Sequence, residues 1–196
     1  MTRNRAHLAP WSPPRPPDYY TLPHWQRWVE QSSVAVQEGR AVRLVLCPQE
    51  NAGRIIGQIN FTNIIRGPFQ ACYLGFSLDQ DEQGKSLMTE ALQAAIRYAF
   101  ETLRLHRIMA NHRPENDRSA RLLQRLNFRR EGFAREYLYI DGAWRDHVLT
   151  SLHHPHPVAP QTGSIVPALK ESDSTLLTPA AGTGSGLGMR SGCKLA

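Results

Sequence analysis

The stretch from Asp79 to Leu103 constrains the fold more than any other part of the chain, because a polar loop opens directly into an amphipathic helix. Apolar residues recur on one helical face, at Leu87, Met88, Ala91, Leu92, Ala95, Ile96, Ala99, Phe100 and Leu103. The apolar segment Ala71–Leu78 before the loop is short enough to predict a strand. A strand, a loop with Gly84 and a helix start present free backbone N–H groups and the positive end of a helix dipole. This arrangement predicts an anion site, most often for phosphate.

The sequence Gly84-Lys85-Ser86 imitates the end of a P-loop, the phosphate-binding loop of nucleotide hydrolases. That motif needs another glycine five residues before Gly84, where this chain has Asp79, and Asp81 and Glu82 would repel a triphosphate. The sequence therefore argues against a nucleotide hydrolase. Taken alone, the loop leaves a solvated turn without a ligand as an open alternative, since short glycine motifs occur by chance.

Composition narrows the class of protein further. A chain of 196 residues can form one domain with a full hydrophobic core, and no apolar run reaches the length of a membrane span. Three widely spaced cysteines, Cys47, Cys72 and Cys193, are typical of reduced thiols in a cytoplasmic protein rather than of a disulfide framework or a zinc site. The net charge of +6 favours an anionic partner, which leaves phosphate, nucleic acid and an acidic protein surface open.

Three segments differ in character along the chain. Residues 1–22 are rich in arginine and proline and have no apolar period, which predicts an irregular N-terminal arm. Residues 23–152 alternate helical and strand patterns and are predicted to form the folded domain. Residues 153–196 contain many Pro, Gly, Ser and Thr residues and little that a core could bury, which predicts a disordered tail.

The order of elements in the folded domain predicts its architecture. The predicted elements are, in order, a helix from Pro23 to about Gly39, strands at Ala41–Cys47, Arg54–Asn63 and Ala71–Leu78, the long helix, a strand at Arg107–His112, a helix at Ser119–Leu126, and strands at Phe128–Ile140 and Trp144–Leu152. Asp141-Gly142 predicts a type I′ hairpin turn between the last two strands. We expect an α+β fold, with a mixed, mostly antiparallel sheet flanked by helices. The central strand–helix–strand unit predicts one parallel pair joined by a right-handed crossover.

Two segments resemble the acetyltransferases of the GNAT superfamily. Gln83-Gly84-Lys85-Ser86-Leu87-Met88 looks like the acetyl-CoA loop of that superfamily, and HRIMANHRPENDRSARLLQRLNFRREG, residues 106–132, looks like the strand, turn and helix that follow it. From Ala6 to Leu152 the likeness is to the bacterial ribosomal-protein-alanine N-acetyltransferases. The resemblance implies transfer of an acetyl group from acetyl-CoA, without a metal, by direct attack of an amine on the thioester. It also implies a ribosomal protein N-terminus or another amine as acceptor, association with the ribosome, a cytoplasmic location and no membrane.

The resemblance also assigns roles to individual residues. Backbone N–H groups from Gln83 through Gly84, Lys85 and Ser86 to Leu87 are expected to hold a diphosphate, while Phe76, Ser77 and Leu78 pair with the pantetheine arm like an added strand. Asn116 matches the residue that holds the cofactor arm, and Ser119 matches the position of the acid that protonates the leaving thiolate. Each assignment has a structural alternative: sheet pairing for the strand, a solvated lysine at position 85, a helix cap for Asn116 and a solvent-facing hydroxyl for Ser119.

The general base is left open. Glu136, Asp146, His147 and His112 are candidates near the expected substrate cleft, and an N-terminal amine with a pKa near 8 needs only modest help. The glutamate that serves as base in one related group corresponds here to Leu138. Cys72 lies in a predicted core strand and is expected to be buried rather than nucleophilic.

The chain departs from the family pattern in three places. Asp81 takes the place of a glutamine or arginine at the start of the loop, and Asn127 takes the place of the glycine before Phe128, where asparagine tolerates a positive φ. The family's first strand and helix have no counterpart before Asn4, so the domain is expected to lack them.

This expected loss motivates a second hypothesis, a ribosome- or RNA-associated binding module without catalysis. In that case the arginine cluster would contact RNA, and its alternatives are contact with the 3′-phosphate of coenzyme A or a solvated helix face balanced by nearby acids. The cluster consists of Arg118, Arg121, Arg125, Arg129 and Arg130. A third hypothesis keeps the enzyme but gives it a small-molecule amine as acceptor.

Overall fold

The structure of the protein, a computed structural model, describes residues 2–157, 159 and 187–191. Its helices are α1 (Arg5–Leu8), α2 (Leu22–Gln37), α3 (Leu87–Arg97) and α4 (Asp117–Arg125), with a π-helical turn at Tyr98–Thr102 and 3-10 turns at Thr2–Asn4, Ala9–Trp11 and Gln80–Glu82. Its strands are β1 (Val42–Pro48), β2 (Gly57–Ile65), β3 (Ala71–Leu78), β4 (Arg107–Met109), β5 (Arg129–Ile140), β6 (Ala143–His153) and β7 (Leu187–Ser191). Across the described residues, the helices are too short or too polar to span a membrane.

All seven strands belong to one sheet, in the order β5-β6-β4-β3-β2-β1-β7. The pair β3–β4 is parallel, and every other neighbouring pair in this order is antiparallel. The connection from β3 to β4 runs through α3, as the strand–helix–strand pattern predicts. The predicted α+β fold with a mostly antiparallel sheet is therefore confirmed.

The apolar face of α3 forms the centre of the core. Leu92 and Ala95 of α3, and Ala99 of the π-helical turn that follows it, are fully buried. They belong to one cluster with Phe61 and Ile108 of the sheet. Burying a side chain of the size of leucine or phenylalanine stabilises a fold by about 1.5–3 kcal/mol. The apolar period in the sequence therefore predicted the buried face of α3. Because α3 is packed into the core, the position of the loop before it is fixed.

Two local predictions about turns are confirmed in detail. Asp141 and Gly142 have φ values of 51° and 74°, the positive pair that a type I′ hairpin requires. Asn127 has a φ of 64°, so it adopts the left-handed conformation expected at the position where the family has glycine. Both turns are set by neighbouring residues, which is why the sequence alone predicts them.

The sheet splits between β3 and β4. The parallel pairing covers only Ala71 to Tyr73 on β3, and the chain after β4 turns to β6, where the Ala110 N–H donates to the Thr150 carbonyl at 3.0 Å. Beyond Tyr73, β3 is paired with β2 alone. An opening therefore begins along β3 and leads to the loop before α3.

The prediction of an irregular N-terminal arm is wrong for residues 2–11. Three short helical turns follow each other there, at Thr2–Asn4, Arg5–Leu8 and Ala9–Trp11. Turns of three or four residues are too short to produce an apolar period in the sequence. Their conformation is supported by contacts with the loop before α3, some 76 residues away in the chain.

The prediction of a disordered tail is wrong for Leu187–Ser191, which forms β7. This strand pairs antiparallel with β1, with Leu46 opposite Met189. The edge of β1 presents unpaired backbone groups, and such an edge accepts a strand through main-chain hydrogen bonds without needing an apolar side-chain pattern. Strand β6 also extends to His153, and within the predicted tail residues 158, 160–186 and 192–196 lie outside the described part of the chain.

Candidate functional site

A cleft of about 1250 Å³ lies on the split side of the sheet. One wall consists of the end of β3, the loop before α3 and the first turn of α3, and the opposite wall is α4. The N-terminal arm contributes His7, Leu8 and Trp11. Nine of the ten site residues predicted from the sequence line this cleft: Phe76, Ser77, Leu78, Gln83, Gly84, Ser86, Leu87, Asn116 and Ser119.

The loop before α3 exposes a row of backbone donors. Gly84 and Ser86 both have positive φ values, 78° and 61°, and Ser86 begins α3 without a capping hydrogen bond from its side chain. Among the described residues, the N–H groups of residues 84–88 have no hydrogen-bond acceptor. A Cβ added to Gly84 would meet nothing within 4 Å, so the space beside this glycine is open. Free donors at the positive end of a helix are suited to an anion.

The acidic side chains of the loop are neutralised within the protein. Asp79 is 8% exposed and accepts hydrogen bonds from the Arg3 guanidinium and from the Asp81 N–H. Burial alone would raise the pKa of Asp79, but these hydrogen bonds outweigh it and lower the pKa below the usual value. The Asp81 carboxylate lies 3.6 Å from Arg3, so one arginine of the N-terminal arm serves both acids.

Glu82 is paired with two cations, one from the loop and one from the connection between β1 and β2. The Lys85 ammonium lies 2.9 Å and the Arg54 guanidinium 2.6 Å from the Glu82 carboxylate. The hydrogen bond from Lys85, followed by that from Arg54, lowers the pKa of Glu82. Lys85 is also the one predicted site residue that does not line the cleft. The structure thus favours the structural alternative for this side chain.

The end of β3 offers backbone groups to the opening in the sheet. The Asp79 N–H donates to the Ile56 carbonyl at 2.7 Å on the β2 side, whereas the Gln70 carbonyl accepts from the Arg107 N–H on the β4 side. Successive residues of a strand direct their N–H and C=O groups to opposite edges. This alternation directs the backbone groups of Phe76 and Leu78 toward the opening and those of Ser77 toward β2.

Helix α4 is capped by the residue that the sequence predicts to hold the cofactor arm. The Ser119 N–H donates to Oδ1 of Asn116 at 3.1 Å, so the capping role of Asn116 is confirmed. The amide NH₂ group of Asn116 is a separate donor and remains available for a ligand. The Ser119 hydroxyl has no hydrogen-bond partner among the described residues, and Ser119 lines the cleft from the first turn of α4.

The N-terminal arm joins the two walls, and sequence analysis missed it. The Gln80 N–H donates to Oδ1 of Asn4 at 2.9 Å, and the ring nitrogen Nε2 of His7 lies 2.8 Å from the side-chain amide nitrogen of Gln83. Toward the other wall, Arg113 donates to the Pro10 carbonyl at 2.7 Å. No local pattern announces these contacts, because each depends on a residue far away in the chain.

None of the four candidate bases lines the cleft. The His147 side chain is buried with its Nδ1 atom 3.0 Å from the Arg145 carbonyl, and burial lowers the pKa of this imidazole. His112 is nearly buried and contacts the Arg113 carbonyl through Nδ1. On the hairpin, the Glu136 N–H donates to the Asp146 carboxylate at 2.8 Å.

A polar cluster that the sequence did not predict lies beside these residues. The side-chain amide of Asn111 donates to the Tyr137 hydroxyl at 3.3 Å, and the Tyr137 ring contacts the His147 ring at a centroid distance of 5.5 Å. Desolvation, with a hydrogen bond to Tyr73, raises the pKa of Tyr137. This cluster joins β3, β4 and the β5–β6 hairpin at the point where the sheet splits.

Cys72 is confirmed as a core residue. It is fully buried, and burial raises the pKa of its thiol to about 12, so the thiolate form is not available as a nucleophile. Within the described residues, no group of three or more His, Cys, Asp or Glu side chains is arranged to hold a metal ion.

Comparisons with known proteins identify relatives over most of the chain. The profile of the family described as Acetyltransferase (GNAT) domain matches residues 2–129. The ribosomal protein uS5-alanine N-acetyltransferase of Escherichia coli K12 is 49% identical over 152 residues, which is 78% of this chain and 78% of the relative.

Solved structures agree with this result. The ribosomal-protein-S5-alanine acetyltransferase of Vibrio fischeri superposes with a TM-score of 0.74 at 42% identity, covering 79% of this chain and 84% of that one. RimJ of Mycobacterium smegmatis, in complex with CoA-disulfide, gives a TM-score of 0.73 at 29% identity, covering 79% of this chain and 75% of that one.

Proposed function

The chain belongs to the GNAT acetyltransferase family, whose acetyl donor is acetyl-CoA, and we propose that its acceptor is the N-terminal alanine of a ribosomal protein. The relatives from Escherichia coli and Vibrio fischeri support this acceptor, since both are named for acetylation of alanine on the same ribosomal protein. With this acceptor, the protein would act in the cytoplasm and associate with the ribosome or with ribosomal proteins.

One observation carries the proposal: the N–H groups of residues 84–88 have no acceptor among the described residues, and Gly84, Ser86, Leu87 and Met88 line the cleft at the start of α3. Acetyl-CoA has a diphosphate that needs such donors, and a main-chain site provides them without side-chain charge. The pantetheine arm then runs along the opening in the sheet. There Phe76 and Leu78 offer backbone N–H and C=O groups, as an added strand would require.

The chemistry is a direct transfer. The neutral amine nitrogen of the acceptor attacks the thioester carbonyl carbon, the C–S bond breaks, and the amine loses a proton as the amide forms. That proton passes through water and replaces the one that the acid gives to the leaving thiolate, so the products are the amide and the free thiol of CoA. We assign Ser119 as the donor of the proton that the leaving thiolate takes, because its hydroxyl is unpartnered among the described residues and lines the cleft. The Asn116 amide, two hydrogen atoms of which are not used in capping, is assigned to hold the arm.

The test of the acceptor uses the purified protein with acetyl-CoA and a peptide panel. Peptides that begin with alanine are expected to release CoA faster than the same peptides with a blocked N-terminus, and faster than spermidine. Preference for the polyamine would replace the proposed acceptor by a small-molecule amine. Acetyl-CoA binding without turnover of any amine would instead support a catalytically inactive binding module.

The test of Ser119 separates catalysis from binding. Ser119→Ala is expected to lower kcat about 100-fold, because general acid catalysis typically contributes at least that factor. The Kd for acetyl-CoA should be unchanged, since the Asn116 cap uses the backbone N–H of residue 119 rather than its hydroxyl. An unchanged kcat in Ser119→Ala would remove this residue from the mechanism.

A further inference from the structure

Helix α4 presents a stripe of arginines to the cleft. Arg118, Arg121 and Arg125 all line it, at a spacing that places them on one helical face. With a rise of 1.5 Å per residue, the stripe is about 10 Å long. Leu122 lies beside the stripe at the floor of the cleft and Leu123 is buried in the core, so the orientation of the stripe is fixed by packing.

The positive charge of this stripe is largely uncompensated. Arg118 and Arg125 have no carboxylate within 4.0 Å among the described residues, and the only such partner of Arg121 is Asp117 at 4.0 Å. Glu115, which also lines the cleft, lies 3.4 Å from Arg113 instead. The carboxylates of the opposite wall are paired with cations of their own, so they do not neutralise the stripe.

Coenzyme A has two separate anionic groups, and the loop wall offers donors for only one of them. Coenzyme A carries a diphosphate and, on its ribose, a separate 3′-phosphate. A phosphate monoester has a charge between about −1.5 and −2 at neutral pH, and it prefers guanidinium donors. The free amides of residues 84–88 match the diphosphate, but the Lys85 ammonium is held by Glu82 and does not line the cleft.

We propose that Arg121 and Arg125 bind the 3′-phosphate of coenzyme A and thereby make the protein select coenzyme A over its 3′-dephospho form. This inference rests on the proposed function, because it takes the cleft as the acetyl-CoA site. The selection comes from side-chain charge on α4, whereas the diphosphate is held by main-chain groups on the opposite wall.

The experiment measures the Kd of acetyl-CoA and of acetyl-3′-dephospho-CoA by isothermal titration calorimetry. The protein as it exists is compared with Arg121→Gln/Arg125→Gln and with Arg129→Gln/Arg130→Gln. The second pair removes the same charge from exposed arginines on β5, outside the cleft and without ion-pair partners among the described residues. Glutamine retains a good helix propensity, and thermal unfolding checks that each variant folds.

The unchanged protein is expected to prefer acetyl-CoA over the dephospho form about tenfold, a modest factor because the arginines are exposed. In Arg121→Gln/Arg125→Gln this preference should fall below about twofold through loss of acetyl-CoA affinity alone, while the β5 pair keeps it.

Equal affinity of the unchanged protein for both ligands overturns the inference but leaves the proposed function intact. The same holds if both ligands weaken equally in the α4 pair, or if the α4 pair loses binding of an RNA oligonucleotide while its ligand preference is unchanged. Binding of neither ligand to the unchanged protein overturns the proposed function itself, and the inference with it.

Discussion

The two walls of the cleft carry their charge in different ways. On the loop wall, Asp79, Asp81 and Glu82 are each within ion-pair distance of a cation, and the groups left for a ligand are main-chain N–H donors. On the α4 wall, the charge is in arginine side chains that are exposed and mostly unpaired. The fixed main-chain donors of the loop wall are therefore suited to hold an anion in one position. The arginine side chains of the α4 wall are suited to attract an anion by their charge.

The difference also explains how the loop tolerates acids beside an anion site. A carboxylate close to a diphosphate would repel it, yet each carboxylate here is neutralised by a cation brought from elsewhere in the chain. Arg3 comes from the N-terminal arm and Arg54 from the connection between β1 and β2. The anion site thus depends on residues well outside the loop that forms it.

The largest effect is expected from changing the backbone of the loop. Gly84→Ala should weaken acetyl-CoA binding about 10- to 30-fold, because an alanine at a φ of 78° costs about 1–2 kcal/mol and relaxation would turn the neighbouring amides away. Gly67→Ala is the matched control, since Gly67 has a φ of 71° and equally open space but lies outside the cleft. Calorimetry should show weaker binding in the first variant only. Equal affinities in the two variants would contradict the role of the loop.

A smaller effect is expected from removing the cation that serves Asp79. Arg3→Gln leaves this buried carboxylate with only the Asp81 N–H and the neutral Asn4 nearby, and its charge then opposes an anion at the loop. We expect about a fivefold weaker affinity for acetyl-CoA at low salt, with a smaller difference at high salt. Adding Asp79→Asn to Arg3→Gln should restore most of the affinity. If the double variant binds no better than Arg3→Gln, the arm acts through shape rather than charge.

The acids of the loop wall also predict how stability depends on pH. The pKa values of Asp79 and Glu82 are lowered in the folded protein, so unfolding takes up protons at acidic pH. Their contribution is fully present above the unfolded carboxyl pKa values of about 4 and is lost as the pH falls through the lowered folded values. Urea unfolding from neutral to acidic pH should show this loss. Glu82→Gln should give a flatter profile below pH of about 5, and an identical profile would mean that the pairs add nothing.

The smallest effect is expected at the lysine of the loop. Lys85→Gln should change the Kd for acetyl-CoA less than about twofold, because the ammonium is bound to Glu82 rather than directed into the cleft, and Arg54 still pairs with that acid. Arg125→Gln, which removes the same charge from the opposite wall, should have the larger effect. A loss of tenfold or more in Lys85→Gln would place the lysine on a phosphate and erase the distinction between the walls.

Features set by neighbouring residues could be predicted from the sequence. The apolar period of α3, the positive φ of Asn127, the Asp141-Gly142 turn and the cap at Asn116 all depend on residues a few positions apart. Nine of the ten predicted site residues meet in one cleft, since the loop and the start of α4 follow the two strands that were predicted to form a parallel pair.

Features set by distant residues could not be predicted in this way. The pairing of Arg3 with Asp79 and the hydrogen bond from Gln80 to Asn4 each join residues 76 positions apart. Strand β7 adds to β1 through the backbone, so the composition of the tail gave no sign of it. The four candidate bases were expected near the substrate cleft, but the hairpin that holds three of them contributes no residue to the cleft described above.

The central claim, that main-chain amides at the start of α3 hold the diphosphate of acetyl-CoA, can be tested most directly by NMR spectroscopy. Titration of the ¹⁵N-labelled protein with acetyl-CoA should shift the amide resonances of residues 84–88 more than those of any other loop, because each gains a charged acceptor. Saturable binding that leaves these five amides unchanged would contradict the account.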